Sequence, residues 1–284
     1  MTTPAPFCWY ELLTNDDAAA TDFYSHVVGW TAKPAEGAPE GVRYTLFETD
    51  NAPSAGMMAL NDEACSAGAR PGWLGYVEVA DVDAAANKAK ALGGSVYMAP
   101  ADIPEVGRFA LIGDPHGAAI GLMKWAQPMP AIPSMPMQTG RTGWHELMAG
   151  ALEPDFAFYS ELFGWSKLDE LDMGPMGSYR LFGPAGEYAI GGMMTKPDEI
   201  PAPYWSYYFV VDEINAAFTA AANEPRYAGI LTVTTDPIVS SDIVGSPYSA
   251  IVDLGLTKAI GTLTKVFAWY DNEYGYTMRL VEMV

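Results

Sequence analysis

The chain repeats itself. Residues 7 to 30, FCWYELLTNDDAAATDFYSHVVGW, are matched without a gap by residues 142 to 165, TGWHELMAGALEPDFAFYSELFGW, with Trp, Glu, Leu, Phe, Tyr, Ser, Gly and Trp recurring in register. The same offset aligns RYTLF (43 to 47) with SYRLF (178 to 182), and one residue of slippage aligns GMM (56 to 58) with GMM (192 to 194). Further on, WLGYVEVADVDAA (73 to 85) matches WSYYFVVDEINAA (205 to 217). Such self-similarity means one structural unit used twice, each copy burying the same apolar face.

Within the first copy, strands of alternating character at 7 to 13 and 74 to 80 are each followed by a helical pattern. The helices are entered through acids (Asp16 and Asp17; Asp81 and Asp83) and closed by glycine (Gly29; Gly93 and Gly94). Short strand candidates follow: 30 to 34, 43 to 49 and 55 to 60 in the first half, and 95 to 99, 107 to 112 and 118 to 124 in the second. The turn GDPHGA (113 to 118) separates the last two. The unit is βαβββ, and the fold class is α+β, with tandem modules forming cupped mixed sheets.

The first domain is placed at 5–125 and the second, truncated, at 142–222, joined by the proline-rich linker 126–141, AQPMPAIPSMPMQTGR. The repeat fails after DEINAAFTAAAN (212 to 223); nothing beyond it resembles RFALIGDPHGAAIGLMKW (108 to 125).

Composition narrows the partners. With 35 acidic against 15 basic residues, a net charge of −20 repels phosphate backbones and anionic bilayers, so neither nucleic acid nor membrane is expected. No apolar run is long enough to span a membrane and no signal core is evident, so a cytoplasmic protein is the expectation. Cys8 and Cys65 lie in unrelated contexts without metal-ligand or disulfide spacing.

The paired modules, the DFYSHVVGW and FAFYSELFGW signatures, and DPHGA before a final strand resemble the vicinal oxygen chelate superfamily of glyoxalases, bleomycin-resistance proteins and extradiol dioxygenases. The resemblance covers residues 5 to 222. In catalytic members it implies a divalent metal held by His or Glu on the first, fourth, fifth and eighth strands. Carried over, the first position falls at Trp9 and its repeat Trp144, the fifth near Leu74 and the eighth at Gly121, while the fourth lies within AGMMAL (55 to 60). None of these is a ligand, so no cofactor and no metal are expected.

Because alternate strand residues share a face, Trp9 and Glu11 point together, as do Trp144 and Glu146. Glu11 and Glu146 are candidate catalytic or binding acids, and in the alternative reading they are donors to a divalent metal in a lyase, isomerase or dioxygenase. The cup wall is expected to include Trp9, Tyr44, Met58, Tyr76, Phe109 and Trp144, with Phe47, Met57, Tyr179, Phe182, Met193 and Tyr208 as further aromatic and methionine candidates. His26, His116 and His145 read as structural. A small apolar or aromatic ligand is the expected partner.

From 228 to 284 the chain resembles the carboxy-terminal end of glyceraldehyde-3-phosphate dehydrogenase, through VSSDIVG and AWYDNEYGY in that order. The resemblance implies that Asn272 and Tyr276 derive from contacts to the nicotinamide end of NAD. The glycine-rich dinucleotide turn and the Ser-Cys-Thr-Thr-Asn nucleophile are absent from the sequence, which makes an NAD-linked oxidoreductase the least favoured reading. The chain reads as a chimera in which a foreign β-rich segment completes or caps a truncated domain.

Overall fold

The computed structural model describes residues 4–35, 43–50, 52–61, 65, 69–127, 138–211, 214–260 and 263–282; the central part of the linker lies outside them. The first copy runs β1 (Phe7–Thr14), α1 (Asp17–Val27), β2 (Thr31–Pro34), β3 (Tyr44–Thr49) and β4 (Ala52–Ala59). It continues with β5 (Gly72–Glu78), α2 (Val82–Ala91), β6 (Ser95–Ile103), β7 (Gly107–Gly113) and β8 (Ala119–Trp125). These strands form one sheet in the order β2-β3-β4-β1-β5-β8-β7-β6, with β1 and β5, the first strands of the two modules, pairing antiparallel at its centre.

The helices begin and end where the sequence places them. Asp16 caps α1 by accepting from the Ala19 amide at 2.9 Å, and Asp81 caps α2 through Ala84 at 3.0 Å. Gly29 and Gly93 take the left-handed backbone that stops each helix. Val82, Ala86 and Ala89 form the buried stripe of α2, spaced to fall on one helical face.

The second copy contributes β9 (Thr142–Ala149), α3 (Leu152–Phe163), β10 (Ser166–Asp172), β11 (Ser178–Gly183), β12 (Gly191–Thr195), β13 (Tyr204–Phe209) and α4 (Ile214–Ala222). Its sheet has the order β10-β11-β12-β9-β13 and stops there. Among the described residues nothing corresponds to β6, β7 and β8.

The tail does not supply those strands. Its own β14 (Leu231–Thr234), β15 (Ala250–Asp253) and β18 (Ala268–Trp269) form a separate three-stranded sheet, and β16 (Lys258–Ile260) pairs only with β17 (Leu263–Lys265). The last helix is α5 (Tyr274–Glu282). Completing the cup and capping the domain were the two roles expected for the tail, and its strands pair only with one another. Whereas α2 packs on β6, β7 and β8 of its own sheet, α4 packs on β14 of the tail and on α1.

The two copies meet back to back through a reciprocal interface. The Trp30 indole donates to the Gly140 carbonyl at 2.7 Å, and the equivalent Trp165 donates to the Ala5 carbonyl at 2.8 Å. Tyr10 and His145, equivalent positions of the repeat, face each other across the join at 2.6 Å. So do Gly75 and Tyr207: the Tyr207 hydroxyl accepts from the Gly75 amide at 2.8 Å, and a Cβ at residue 75 would collide with the Tyr207 ring. Phe7 stacks on the His145 imidazole with ring centroids 3.9 Å apart. Trp30, Phe47, Met57, Trp165, Phe182 and Met193 belong to this one continuous buried core. Phe47, Met57, Phe182 and Met193, candidates for either the cup wall or the core, therefore belong to the core face.

His145 is fixed as a neutral imidazole by its partners. Its Nδ1 lies 2.6 Å from the Ile190 carbonyl, which can only accept, so Nδ1 carries the proton and Nε2 accepts from the Tyr10 hydroxyl. Burial lowers its pKa to about 4. Between that value and the ordinary histidine pKa of roughly 6.5, the unfolded chain binds the extra proton and the folded chain does not, so stability is lost as pH falls through this window. The full loss is on the order of 3 kcal/mol. Denaturant unfolding at pH 7 and pH 4.5 should show this loss for the wild type, and a His145→Gln variant should lack most of it.

Candidate functional site

On the face of the first sheet turned away from the partner copy, Glu11 lies near the centre of β1. The Tyr76 hydroxyl donates to its Oε2 at 3.0 Å, and the Tyr44 hydroxyl donates to the same carboxyl group. The Trp9 indole donates in turn to the Tyr44 oxygen at 3.0 Å. Strand register produces this cluster: Trp9 pairs with Tyr76 across β1 and β5, and Glu11 pairs with Gly56 of β4.

Two glycines make room for the rings. A Cβ at Gly56 would collide with the Tyr44 ring, and a Cβ at Gly121 of β8 would collide with the Tyr76 ring. Around the cluster Cys8, Trp9, Leu74, Tyr76 and Met123 form a buried group, packed further by Leu46, Phe109, Leu111 and Trp125. The first cup is thus filled by its own side chains. Burial pushes the Glu11 pKa up, partly offset by the hydrogen bonds from Tyr44 and Tyr76, and burial with the nearby Glu11 charge holds both phenols well above their usual range.

The second copy builds the same cluster. The Trp144 indole donates to the Tyr179 oxygen at 3.0 Å, the Tyr179 hydroxyl to Glu146 Oε1 at 2.8 Å, and the Tyr208 hydroxyl to Glu146 Oε2 at 2.6 Å. Gly192 stands under the Tyr179 ring as Gly56 stands under Tyr44. The difference is enclosure. Trp9 and Tyr76 are buried, while Trp144 and Tyr208 are only half-buried, because β13 is the last strand of its sheet and Tyr208 has no β8 against it.

Of the residues expected at the cup, Trp9, Glu11, Tyr44 and Tyr76 come together in one copy and Trp144 and Glu146 in the other. Phe109 joins the packed wall of the first cup, and the half-buried Met58 pairs with Tyr44 across β3 and β4. Tyr179 and Tyr208, expected only as wall residues, turn out to hold Glu146 directly.

The positions carried over from the family's metal ligands hold Trp9, Leu74 and Gly121, none of them a metal-ligating side chain. Trp9 is a hydrogen-bond donor, Leu74 is buried and apolar, and Gly121 carries no side chain and is covered by a phenol ring. Elsewhere, Asp22, His26 and Glu224 place one ligand atom each within 4.8 Å of one another. Arg226 already forms ion pairs with both of those carboxylates, so the group reads as a charge network tying α1 to the segment after α4.

His116 binds Asp155 of α3 through Nδ1 at 2.6 Å, and Asp114 of the same turn accepts from the amides of His116, Gly117 and Ala118. In the tail, Asp271 caps α5 through the amides of Glu273 and Tyr274 and also accepts from Gly245 at 2.8 Å. Asn272 beside it is exposed, and the Tyr276 side chain lies outside the described residues.

Residues 7–122 match the Glyoxalase/Bleomycin resistance protein/Dioxygenase superfamily, and residues 207–272 match the glyceraldehyde 3-phosphate dehydrogenase C-terminal domain. The second match opens inside β13, ahead of α4, so this helix falls within both the repeat and the dehydrogenase-like segment. The chain is 31% identical over 214 residues to "Putative glyoxylase CFP32" of Mycobacterium tuberculosis, covering 75% of this chain and 80% of that protein. It is 62% identical over 74 residues to glyceraldehyde-3-phosphate dehydrogenase of the same species, which is 26% of this chain and only 22% of the enzyme.

Two solved structures share the fold at low identity. The Mn(II)-bound glyoxalase from Novosphingobium aromaticivorans has a TM-score of 0.54 at 13% identity, covering 97% of this chain and 81% of that one. The 2,3-dioxygenase LapB from Pseudomonas sp. KL28 has a TM-score of 0.55 at 12% identity, covering 95% and 89%. The chain belongs to the glyoxalase/bleomycin resistance protein/dioxygenase superfamily and carries at its carboxy-terminal end a segment of glyceraldehyde-3-phosphate dehydrogenase type.

Proposed function

We propose that this chain binds a small apolar or aromatic molecule in a cupped sheet, without the complete metal site of the catalytic members of its superfamily. The observation that carries the reading is the Trp-Tyr-Glu-Tyr cluster, built twice from equivalent positions. A carboxylate presented by two phenols within aromatic walls is a hydrogen-bonding anchor of the kind that orients a ligand in an otherwise apolar pocket. A divalent cation needs several convergent oxygen or imidazole donors, and among the described residues each cluster brings a single carboxylate, already accepting from its phenols.

The competing reading is a metal-dependent lyase, isomerase or dioxygenase with Glu11 and Glu146 as donors, in keeping with the Mn(II)-bound glyoxalase that shares the fold. Elemental analysis of protein purified without chelator separates the two. We expect Zn, Ni, Mn and Fe far below one equivalent per chain; near-stoichiometric metal that disappears in Glu11→Gln or Glu146→Gln would replace this proposal with the metal-dependent one.

The dehydrogenase-like tail is assigned a covering role and no coenzyme. Dinucleotides are anchored mainly through their phosphates, at glycine-rich turns opening onto helix N-termini. An exposed Asn272 cannot substitute for such a cradle. Calorimetric titration with NAD is expected to show no binding, and Asn272→Ala is expected to leave the thermal midpoint unchanged. Micromolar affinity abolished by that substitution would restore the coenzyme reading.

A further inference from the structure

We propose that the open cup of the second copy recognises an organic cation, an ammonium group on a small aliphatic or aromatic body, with Glu146 as its counter-charge. This rests on reading the cups as ligand sites, and it adds which copy takes the ligand and what chemistry the ligand brings.

Glu146 is half-buried and held by two phenols, yet among the described residues no Lys, Arg or His forms an ion pair with it. Withdrawing a carboxylate from water without a positive partner is unfavourable, and proteins resolve it by pairing or by protonation. A carboxylate offers about four acceptor sites, so two phenol donors leave room for a ligand's N–H groups or for the direct approach of a charged nitrogen. The surrounding side chains, Trp144, Tyr179 and Tyr208, are the types whose ring faces attract cations.

The two copies resolve the same problem differently. In the first cup, burial pushes the Glu11 pKa up, and Leu74, Phe109, Met123 and Trp125 pack with the buried Trp9 and Tyr76 beside it. In the second cup Trp144, Glu146 and Tyr208 are half-buried, and among the described residues no strand lies beyond β13 in the sheet, which leaves Glu146 to be paired by a ligand. The net charge of −20 draws cations toward every opening of the molecule.

The test uses two probes of nearly equal shape and opposite electrostatics, benzyltrimethylammonium and its neutral isostere neopentylbenzene, titrated against the full chain by tryptophan fluorescence and calorimetry. We expect the cation to bind about tenfold or more tightly than the isostere, with that preference lost in Glu146→Gln and kept in Glu11→Gln. If Glu146→Gln does not fold, the wild type still decides: affinity for the cation should fall with added salt while affinity for the isostere should not. Equal binding of the two probes would overturn the cation proposal and leave the cups as ligand sites. A preference lost only in Glu11→Gln would move the site to the first copy and overturn the assignment made here. Failure of both probes to bind would remove the ligand-site reading itself.

Discussion

The contact between Tyr10 and His145 at the join of the two copies fixes which face of each central strand is buried and which is left to the cup. Side chains alternate along a strand, so turning residues 10 and 145 toward each other turns Trp9, Glu11, Trp144 and Glu146 the opposite way. A register slip of one residue would send both glutamates into the core. The reciprocal indole-to-carbonyl bonds of Trp30 and Trp165 and the insertion of Tyr207 over Gly75 hold the same register from either side. The site therefore depends on an interface that contains none of its residues.

The tail pairs its strands among themselves and does not join the sheet of the truncated domain. Its parts are tied to one another by carboxylates. Asp253 accepts from the amides of Gly255 and Leu256 and from the Trp269 indole at 3.1 Å, while Asp271 links the α5 cap to the VSSDIVG loop through Gly245. Both carboxyls are held below the usual range by these bonds. The two sequence signatures that give this segment its family resemblance are thus joined physically. The segment meets the rest of the chain largely through α4.

Much of this was legible in the sequence because the repeat exposes it. The βαβββ order, the acid entries at Asp16 and Asp81, the glycine stops and the pairing of each tryptophan with its glutamate all follow from alternation and capping chemistry. The bonding of Tyr44 and Tyr76 to Glu11 was not legible, since it depends on register between strands far apart in the chain, and the enclosing effect of Gly56 and Gly121 appears only once rings are placed over them. The faces of Met57 and Phe47 could not be assigned for the same reason, since they neighbour Met58 and Leu46 in runs apolar on both faces. The seam to the foreign segment was hidden by chemistry common to both families. VVDEINAA, like VADVDAA, is a strand leading through an acid into an alanine-rich helix, so the repeat continued past the point where the dehydrogenase match begins.

The glycine beneath Tyr76 has one more consequence, for how each copy tolerates change. In the first cup, any residue with a Cβ at position 121 must displace a buried phenol, so that position can change only if Tyr76 gives way. Tyr208 faces no such strand, and exchange of its side chain requires no compensating substitution across a sheet. The two copies thus share the glycine beneath the first phenol, Gly56 or Gly192, and differ at the second, where only Tyr76 is locked by a glycine of a neighbouring strand.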